Sequence, residues 1–91
     1  MKHARDATLD GLDGLLQKIR SIPGLKERKL GIFYFKSSAF LHFHEDPVGL
    51  FADLRQRRDW KRYRISSRAE RAKLVKAATA AARTLPNNAR S

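Results

Sequence analysis

Two short aromatic-rich runs near the middle of the chain, separated by a small polar segment, constrain its fold most. They cover residues 30–36 and 40–45, and the sequence between them is Ser37-Ser38-Ala39. Aromatic and β-branched residues favour strands, and a few small polar residues between two such runs favour a turn. The segment therefore predicts a β-hairpin, so the fold has to contain an antiparallel pair of strands.

Two registers of this hairpin remain open, and they direct different side chains toward a core. A three-residue loop places one apolar set on one face and a mixed set on the other: Phe33, Phe35, Leu41 and Phe43 against Tyr34, Lys36, Phe40, His42 and His44. A loop of two or four residues groups Ile32, Tyr34, Leu41 and Phe43, and leaves Phe33, Phe35, Phe40 and His42 together. A shift of one residue exchanges the two faces of a strand. The first register is favoured, because it separates an all-apolar face from a mixed one.

Helices are predicted near both ends of the chain. Leucine and isoleucine recur at three- and four-residue spacing after Thr8, which predicts a helix over 8–20 with Thr8 as its N-cap. The Pro23-Gly24 pair ends that helix, and the charged residues 26–29 are predicted to form a connection. Farther along, Ser67 and Glu70 have the spacing of a capping box, which predicts a helix over 67–84 with an alanine-rich face.

A further helix and a third strand are predicted between the hairpin and the last helix. Asp46-Pro47 is typical of a helix start, which predicts a helix over 47–57. Residues 60–65 alternate in character and predict an edge strand. The predicted fold is one α+β domain over 1–91, with an ordered core of about 8–85. Its order is αββαβα, with a small three-stranded, largely antiparallel sheet and helices packed mainly on one face.

Charge is the most unusual feature of the composition. The 91 residues carry a net charge of +11, no cysteine and no apolar run near the roughly 20 residues that span a bilayer. Residues 1–45 hold eight Lys and Arg against five Asp and Glu, a net +3, whereas residues 46–91 hold twelve against four, a net +8. This excess favours an anionic partner such as nucleic acid or an acidic protein. The N-terminus lacks the pattern of a signal peptide, so a cytoplasmic location without membrane insertion is expected.

A basic tract in the second half is the first candidate site. Its cations can neutralise phosphates, and its tryptophan can stack on an unpaired base. The candidate contacts are Arg57, Arg58, Trp60, Lys61, Arg62, Arg64 and Arg68. The competing interpretation is a charged edge strand and a solvated helix face, with Trp60 packed at the rim of the core. That interpretation is favoured, because no groove-reading motif accompanies the charge.

Two histidines form the second candidate site. On a strand, His42 and His44 project from the same face roughly 6.5 Å apart, a spacing that suits two ligands of one metal ion, and the nearest oxygens for a third ligand are those of Asp46 and Tyr34. The competing interpretation is that both imidazoles simply cover the outer face of the sheet. No glycine-rich phosphate loop, nucleophile elbow or HExxH motif is present, so a non-enzymatic role is favoured and no cofactor is predicted.

The stretch from Phe40 to Arg55, FLHFHEDPVGLFADLR, resembles a group of short bacterial proteins that have no established activity. The resemblance extends from the Pro23-Gly24 turn to Ala69-Glu70-Arg71, and it implies a bacterial cytoplasmic protein without assigning a role to any residue. A looser similarity, to the superfamily that contains the bacterial frataxin homologue, rests on the order of elements only. Binding of an anionic partner, with nucleic acid as the best candidate, is therefore the leading hypothesis. The alternatives are a metal-binding or hydrolytic enzyme that uses His42 and His44, and a protein-interaction module.

Overall fold

A computed structural model describes residues 2–3, 11–56 and 59–84 of the chain. These residues contain two helices and six strands, numbered in chain order. The helices are α1 (Asp13–Arg20) and α2 (Arg68–Thr84). The strands are β1 (Lys2–His3), β2 (Leu25–Lys29), β3 (Ile32–Phe35), β4 (Ser38–Asp46), β5 (Gly49–Gln56) and β6 (Asp59–Arg64).

Strands β2 to β6 form one antiparallel sheet in the order of the chain, and each strand pairs with its sequence neighbours. The two-residue strand β1 pairs with the end of β4, at Glu45 and His44. The predicted three-stranded sheet is therefore wrong, and two errors account for it. Residues 26–29, predicted as a connection, lie in the edge strand β2, and residues 49–56, predicted as part of a helix, form β5.

The Asp46-Pro47 pair begins a hairpin turn and not a helix. The side chain of Asp46 accepts a hydrogen bond from the backbone N–H of Val48 at 2.9 Å. An Asp side chain can accept a backbone N–H at the start of a helix, which is why Asp46 suggested one. Here the same kind of bond stabilises the turn between β4 and β5. Strand β5 then buries Ala52 and Leu54 completely while Asp53 between them lies on the other face, an alternation of period two.

The β3–β4 hairpin contains both of the registers considered above. Next to the turn, Phe35 pairs with Ser38, which leaves a two-residue loop in which Lys36 and Ser37 both have positive φ. Beyond a bulge, Phe33 pairs with Leu41, which is the register of the three-residue loop. Because the bulge adds one unpaired residue, Phe40 turns into the core instead of the outer face on which the favoured register placed it.

Both helices pack on the same face of the sheet. The buried apolar stripe of α1 confirms the amphipathic pattern, although the helix begins at Asp13 and the proposed cap Thr8 lies outside the described residues. The capping box of α2 is confirmed, because Ser67 Oγ accepts the Glu70 N–H at 3.1 Å and Glu70 accepts the Ser67 N–H at 3.0 Å. The helices and the inner face of the sheet share one core: Leu12, Leu15, Leu16, Ile19, Ile22, Phe33, Phe40, Leu41, Phe43, Ala52, Leu54, Ile65, Leu74, Ala78 and Ala81.

Candidate nucleic-acid interface

The opposite side of the sheet has no helix over it among the residues that the structure describes. Alternation along β6 directs Trp60, Arg62 and Arg64 to this side, where the pairing with β5 sets them beside Arg55, Asp53 and Phe51. Strand β4 adds His42 opposite Asp53 and His44 opposite Phe51. We call this surface the outer face: His42, His44, Phe51, Asp53, Arg55, Trp60, Arg62 and Arg64.

Asp53 lies at the centre of the outer face and binds a neighbour on each side. Its carboxylate accepts two hydrogen bonds from Arg62, with the Nε–Oδ1 distance 2.7 Å and the Nη2–Oδ2 distance 3.0 Å. On the other side, Nε2 of His44 lies 2.9 Å from Oδ2 of Asp53. The bonds from Arg62 lower the pKa of the Asp53 carboxyl, although its partial burial acts in the opposite direction. Asp53 therefore stays ionised at neutral pH and fixes the orientation of the Arg62 guanidinium.

Trp60 lies across the sheet rather than standing clear of it. It belongs to β6, yet its ring centroid is only 4.8 Å from that of His42 on β4, two strands away. Neighbouring strands are about 4.8 Å apart, so the indole has to reach over β5 to make this contact. His42 in turn contacts His44, with ring centroids 5.8 Å apart. Trp60 nevertheless remains 44% exposed, so much of the residue is accessible to solvent.

A second aromatic ring supports the two arginines of β6. The guanidinium carbons of Arg62 and Arg64 lie 6.0 and 5.6 Å from the centroid of the Phe51 ring. Arg64 also donates a hydrogen bond to the backbone carbonyl of Val48 at 3.0 Å. Since a carbonyl carries no net charge, that bond positions Arg64 without neutralising it. The ring contacts and hydrogen bonds hold both guanidinium groups against the sheet.

The structure brings together three of the seven predicted contacts. Trp60, Arg62 and Arg64 share the outer face, and the alternative position of Trp60 at the core rim is not observed. Lys61 lies on the other side of β6, with its Nζ 5.3 Å from the ring of Tyr63. Arg68 belongs to α2 and lines an open groove of about 210 Å³ between the helices, together with Lys18, Arg71, Leu15, Ala72 and Val75. Arg57 and Arg58 lie outside the described residues.

Sequence reasoning missed the contribution of β5 to this surface. Phe51, Asp53 and Arg55 were assigned to a helix, so their alignment with β6 was not foreseen. A signal was present, because Ala52 and Leu54 alternate with Asp53 and Arg55 as in a half-buried strand. The leucines at 50 and 54 fit a helical period equally well, and the Asp46-Pro47 pair decided in favour of the helix.

The candidate metal ligands are arranged differently from the sequence hypothesis. His42 and His44 do share a face, but the carboxylate beside His44 is that of Asp53, whereas Asp46 caps the β4–β5 turn. Within the described part of the chain, no cluster of three or more His, Asp or Glu side chains has an arrangement that suits a metal ion. Each of the two carboxylate oxygens of Asp53 also accepts a hydrogen bond from Arg62.

Comparison of this chain with protein-family models, with curated proteins and with solved structures finds no match. The resemblance to a bacterial group therefore stays an expectation from the sequence, and the case for function depends on the geometry of the outer face. Neither helix among the described residues has the length and apolar character required to cross a bilayer.

Proposed function

We propose that this protein binds nucleic acid through the outer face of its sheet, without acting as an enzyme. The observation that supports the proposal is the row of Trp60, Arg62 and Arg64 along β6, on a side of the sheet that neither helix packs against. Cations neutralise phosphates, and an exposed indole offers a surface for a base. A bacterial, cytoplasmic setting belongs to the same proposal.

Electrostatics support an anionic partner. The chain carries a net charge of +11, so its long-range field attracts any polyanion. On the outer face itself, Asp53 offsets the charge of Arg62 through direct hydrogen bonds, whereas Arg64 bonds to a neutral carbonyl and interacts with the carboxylate of Glu70 only through space. Arg64 is therefore the better candidate for a phosphate contact, and Arg62 is held at a fixed position beside it.

The salt dependence of binding tests this proposal. Affinity for a nucleic acid has to fall steeply with salt, because each neutralised phosphate releases counterions. Replacing both arginines, Arg62→Ser with Arg64→Ser, should weaken binding and reduce the slope of log K against log salt by roughly 1 to 2. The matched control is Lys73→Ser with Lys76→Ser, which removes the same charge from exposed positions of α2, on the other side of the molecule.

Titration of each variant with a nucleic acid at several salt concentrations distinguishes the outcomes. The proposal is supported when the arginine pair changes the slope more than the lysine pair does. Equal effects of the two pairs would show that the field of the whole molecule, and not the outer face, does the binding. Absence of binding at low salt would contradict the proposal. Because loss of Arg62 removes the arginine partner of Asp53, Arg64→Ser alone repeats the test in a variant that keeps that ion pair.

A further inference from the structure

We propose that the ligand of the outer face is a single strand, and that one unpaired base stacks on Trp60. This inference rests on the proposed function and deepens it, because it names the form of the nucleic acid. Charge does not select that form, since it attracts duplex and single strand alike. What separates the two is access to the face of a base, which a duplex buries within its own stack and an unpaired strand exposes.

The position of Trp60 supplies the stacking surface. The indole crosses β5 to reach His42, so it lies along the sheet. Trp60 is 44% exposed, so part of the ring remains accessible to a ligand. A ring held in this way loses little further freedom when a base covers it. His42 contacts the indole with its ring centroid 4.8 Å away, and His42 in turn contacts His44, with the two imidazole centroids 5.8 Å apart. The contact with His42 helps to hold the indole in place, and the exposed part of the ring is available to the ligand.

The shape of this surface also disfavours a duplex. Reading a double helix requires an element that enters a groove, such as a helix or a two-stranded ribbon. Both described helices pack on the other face of the sheet, with Leu74 and Ala78 of α2 in the core. The outer face is a broad surface of side chains from β4, β5 and β6, neither a helix nor an isolated two-stranded ribbon, and it suits splayed bases rather than a groove.

The arginines define where the sugar–phosphate backbone runs. Residues two apart on a strand are roughly 6.5 Å apart, so Trp60, Arg62 and Arg64 form a regular row along β6. With a base on Trp60, the adjoining phosphates lie along this row, where Arg64 is available to one of them. The geometry thus points to a strand that follows β6, with its bases turned inward over β5 and β4.

Trp60 is the one tryptophan of the chain, so intrinsic fluorescence reports on this position directly. The experiment titrates the full chain with single-stranded oligothymidylate and, separately, with a duplex of the same length, at low salt. Binding is measured by fluorescence and by an independent method such as calorimetry. We expect the single strand to quench the indole emission in parallel with binding, and to bind more tightly than the duplex.

Variants at Trp60 separate stacking from charge. Trp60→Ala should weaken single-strand binding roughly tenfold or more, because loss of one stacking ring has an effect of that order. Trp60→Phe keeps an aromatic face and should retain most of the affinity. The matched control is Leu30→Ala, since Leu30 is also 44% exposed but lies between β2 and β3, away from the outer face. Its affinity should equal that of the unmodified chain.

The outcomes separate this inference from the proposed function. One outcome would overturn the stacking and leave nucleic-acid binding in place. In that outcome, duplex and single strand bind with equal, salt-dependent affinity, the indole is not quenched, and Trp60→Ala has no effect. Failure of both ligands to bind at low salt would overturn both. Quenching by the single strand, loss of affinity in Trp60→Ala and its recovery in Trp60→Phe would together support the inference.

Discussion

At the scale of single residues, Asp53 decides how much positive charge the outer face presents. Its side chain is only 17% exposed, and it faces a cation on β6 and an imidazole on β4. A carboxylate in the middle of a phosphate-binding surface opposes the ligand, yet it also holds Arg62 in a fixed orientation. Stability and affinity are therefore expected to respond to Asp53 in opposite directions.

Replacement of this carboxylate tests that balance. Asp53→Asn keeps the shape of the side chain and removes its charge, so Arg62 loses an ionic partner. Because Arg62 is 49% exposed, the loss should lower the free energy of unfolding only slightly. Affinity for nucleic acid should rise several-fold, since a repulsive charge has left the surface. Chemical denaturation and a binding titration measure the two effects.

The control for this substitution removes an equal charge elsewhere. Asp13→Asn does so on α1, where the side chain is 63% exposed and lies on the helix side of the sheet. Its effect on affinity should be small. If Asp53→Asn lowers affinity instead, the fixed orientation of Arg62 matters more to the ligand than the charge of the surface does.

At the scale of elements, the turn between α1 and β2 sets how the first helix meets the sheet. Ile22, Pro23, Gly24 and Leu25 form a turn in which the Leu25 N–H bonds to the Ile22 carbonyl at 3.4 Å. Gly24 has a φ of +91°, in the left-handed region that the third residue of a type II turn occupies and that favours glycine. A Cβ on Gly24 would also lie 2.8 Å from Cε1 of Phe35, so both the backbone and the packing require glycine.

Gly24→Ala should therefore destabilise the protein by roughly 1–3 kcal/mol, from backbone strain and the displacement of Phe35. The chain offers a matched control in Gly14, which lies in α1 with no atom within 4 Å of an added Cβ. Gly14→Ala should stabilise the protein by up to about 1 kcal/mol, because alanine favours a helix. Thermal unfolding of the two variants compares them. Equal effects would show that the left-handed turn does not constrain the fold.

The elements also show which parts of the fold the sequence determines locally. The presence of a helix near each end and the capping box of α2 are confirmed, because each depends on contacts within a few residues, although α1 begins at Asp13 and not at residue 8. The prediction for β5 is wrong, because its leucines at 50 and 54 fit either period and only pairing with β4 and β6 decides between them. The bulge that buries Phe40 is likewise a result of tertiary packing, since no residue type marks it.

The candidate site was likewise predictable only where it depends on the sequence pattern of one strand. The alternation of β6 correctly placed Trp60, Arg62 and Arg64 on one face, a property of one strand alone. The contacts of Trp60 with His42 and of Asp53 with both neighbours depend on the order of three strands, which the wrong helix concealed. The alternation within one strand therefore predicts the row of Trp60, Arg62 and Arg64. The surface around that row depends on the order of the strands in the sheet.

At the scale of the whole molecule, ion pairs connect elements in a chain that is otherwise strongly positive. Glu27 of β2 accepts hydrogen bonds from Arg20 of α1 at 2.6 and 3.1 Å, and one from the Gly31 N–H at 2.8 Å. These bonds lower the pKa of Glu27, although partial burial acts against them. Asp53 and Arg62 connect β5 to β6 in the same way.

Acid should therefore destabilise the fold. Both carboxyls have a lower pKa folded than unfolded, where such groups titrate near pH 4. Their stabilisation is complete above that range and is lost as the pH falls through the lowered folded values. Protonation also removes negative charge from a molecule at +11, which increases self-repulsion. The melting temperature should fall between pH 7 and pH 2, by roughly 4–8 °C for each kcal/mol lost.

Glu27→Gln isolates the contribution of one pair from the general repulsion. This variant should melt lower than the parent at pH 7, because Arg20 loses its partner, but its melting temperature should fall less on acidification. Asp13→Asn changes the net charge equally at a position 63% exposed and 3.9 Å from Arg20, so its acid dependence should stay close to that of the parent. Parallel curves for the parent and Glu27→Gln would show that the pair of Glu27 with Arg20 does not contribute to acid unfolding. A shallower curve only in Glu27→Gln would identify the link between α1 and β2 as an acid-sensitive contact of the fold.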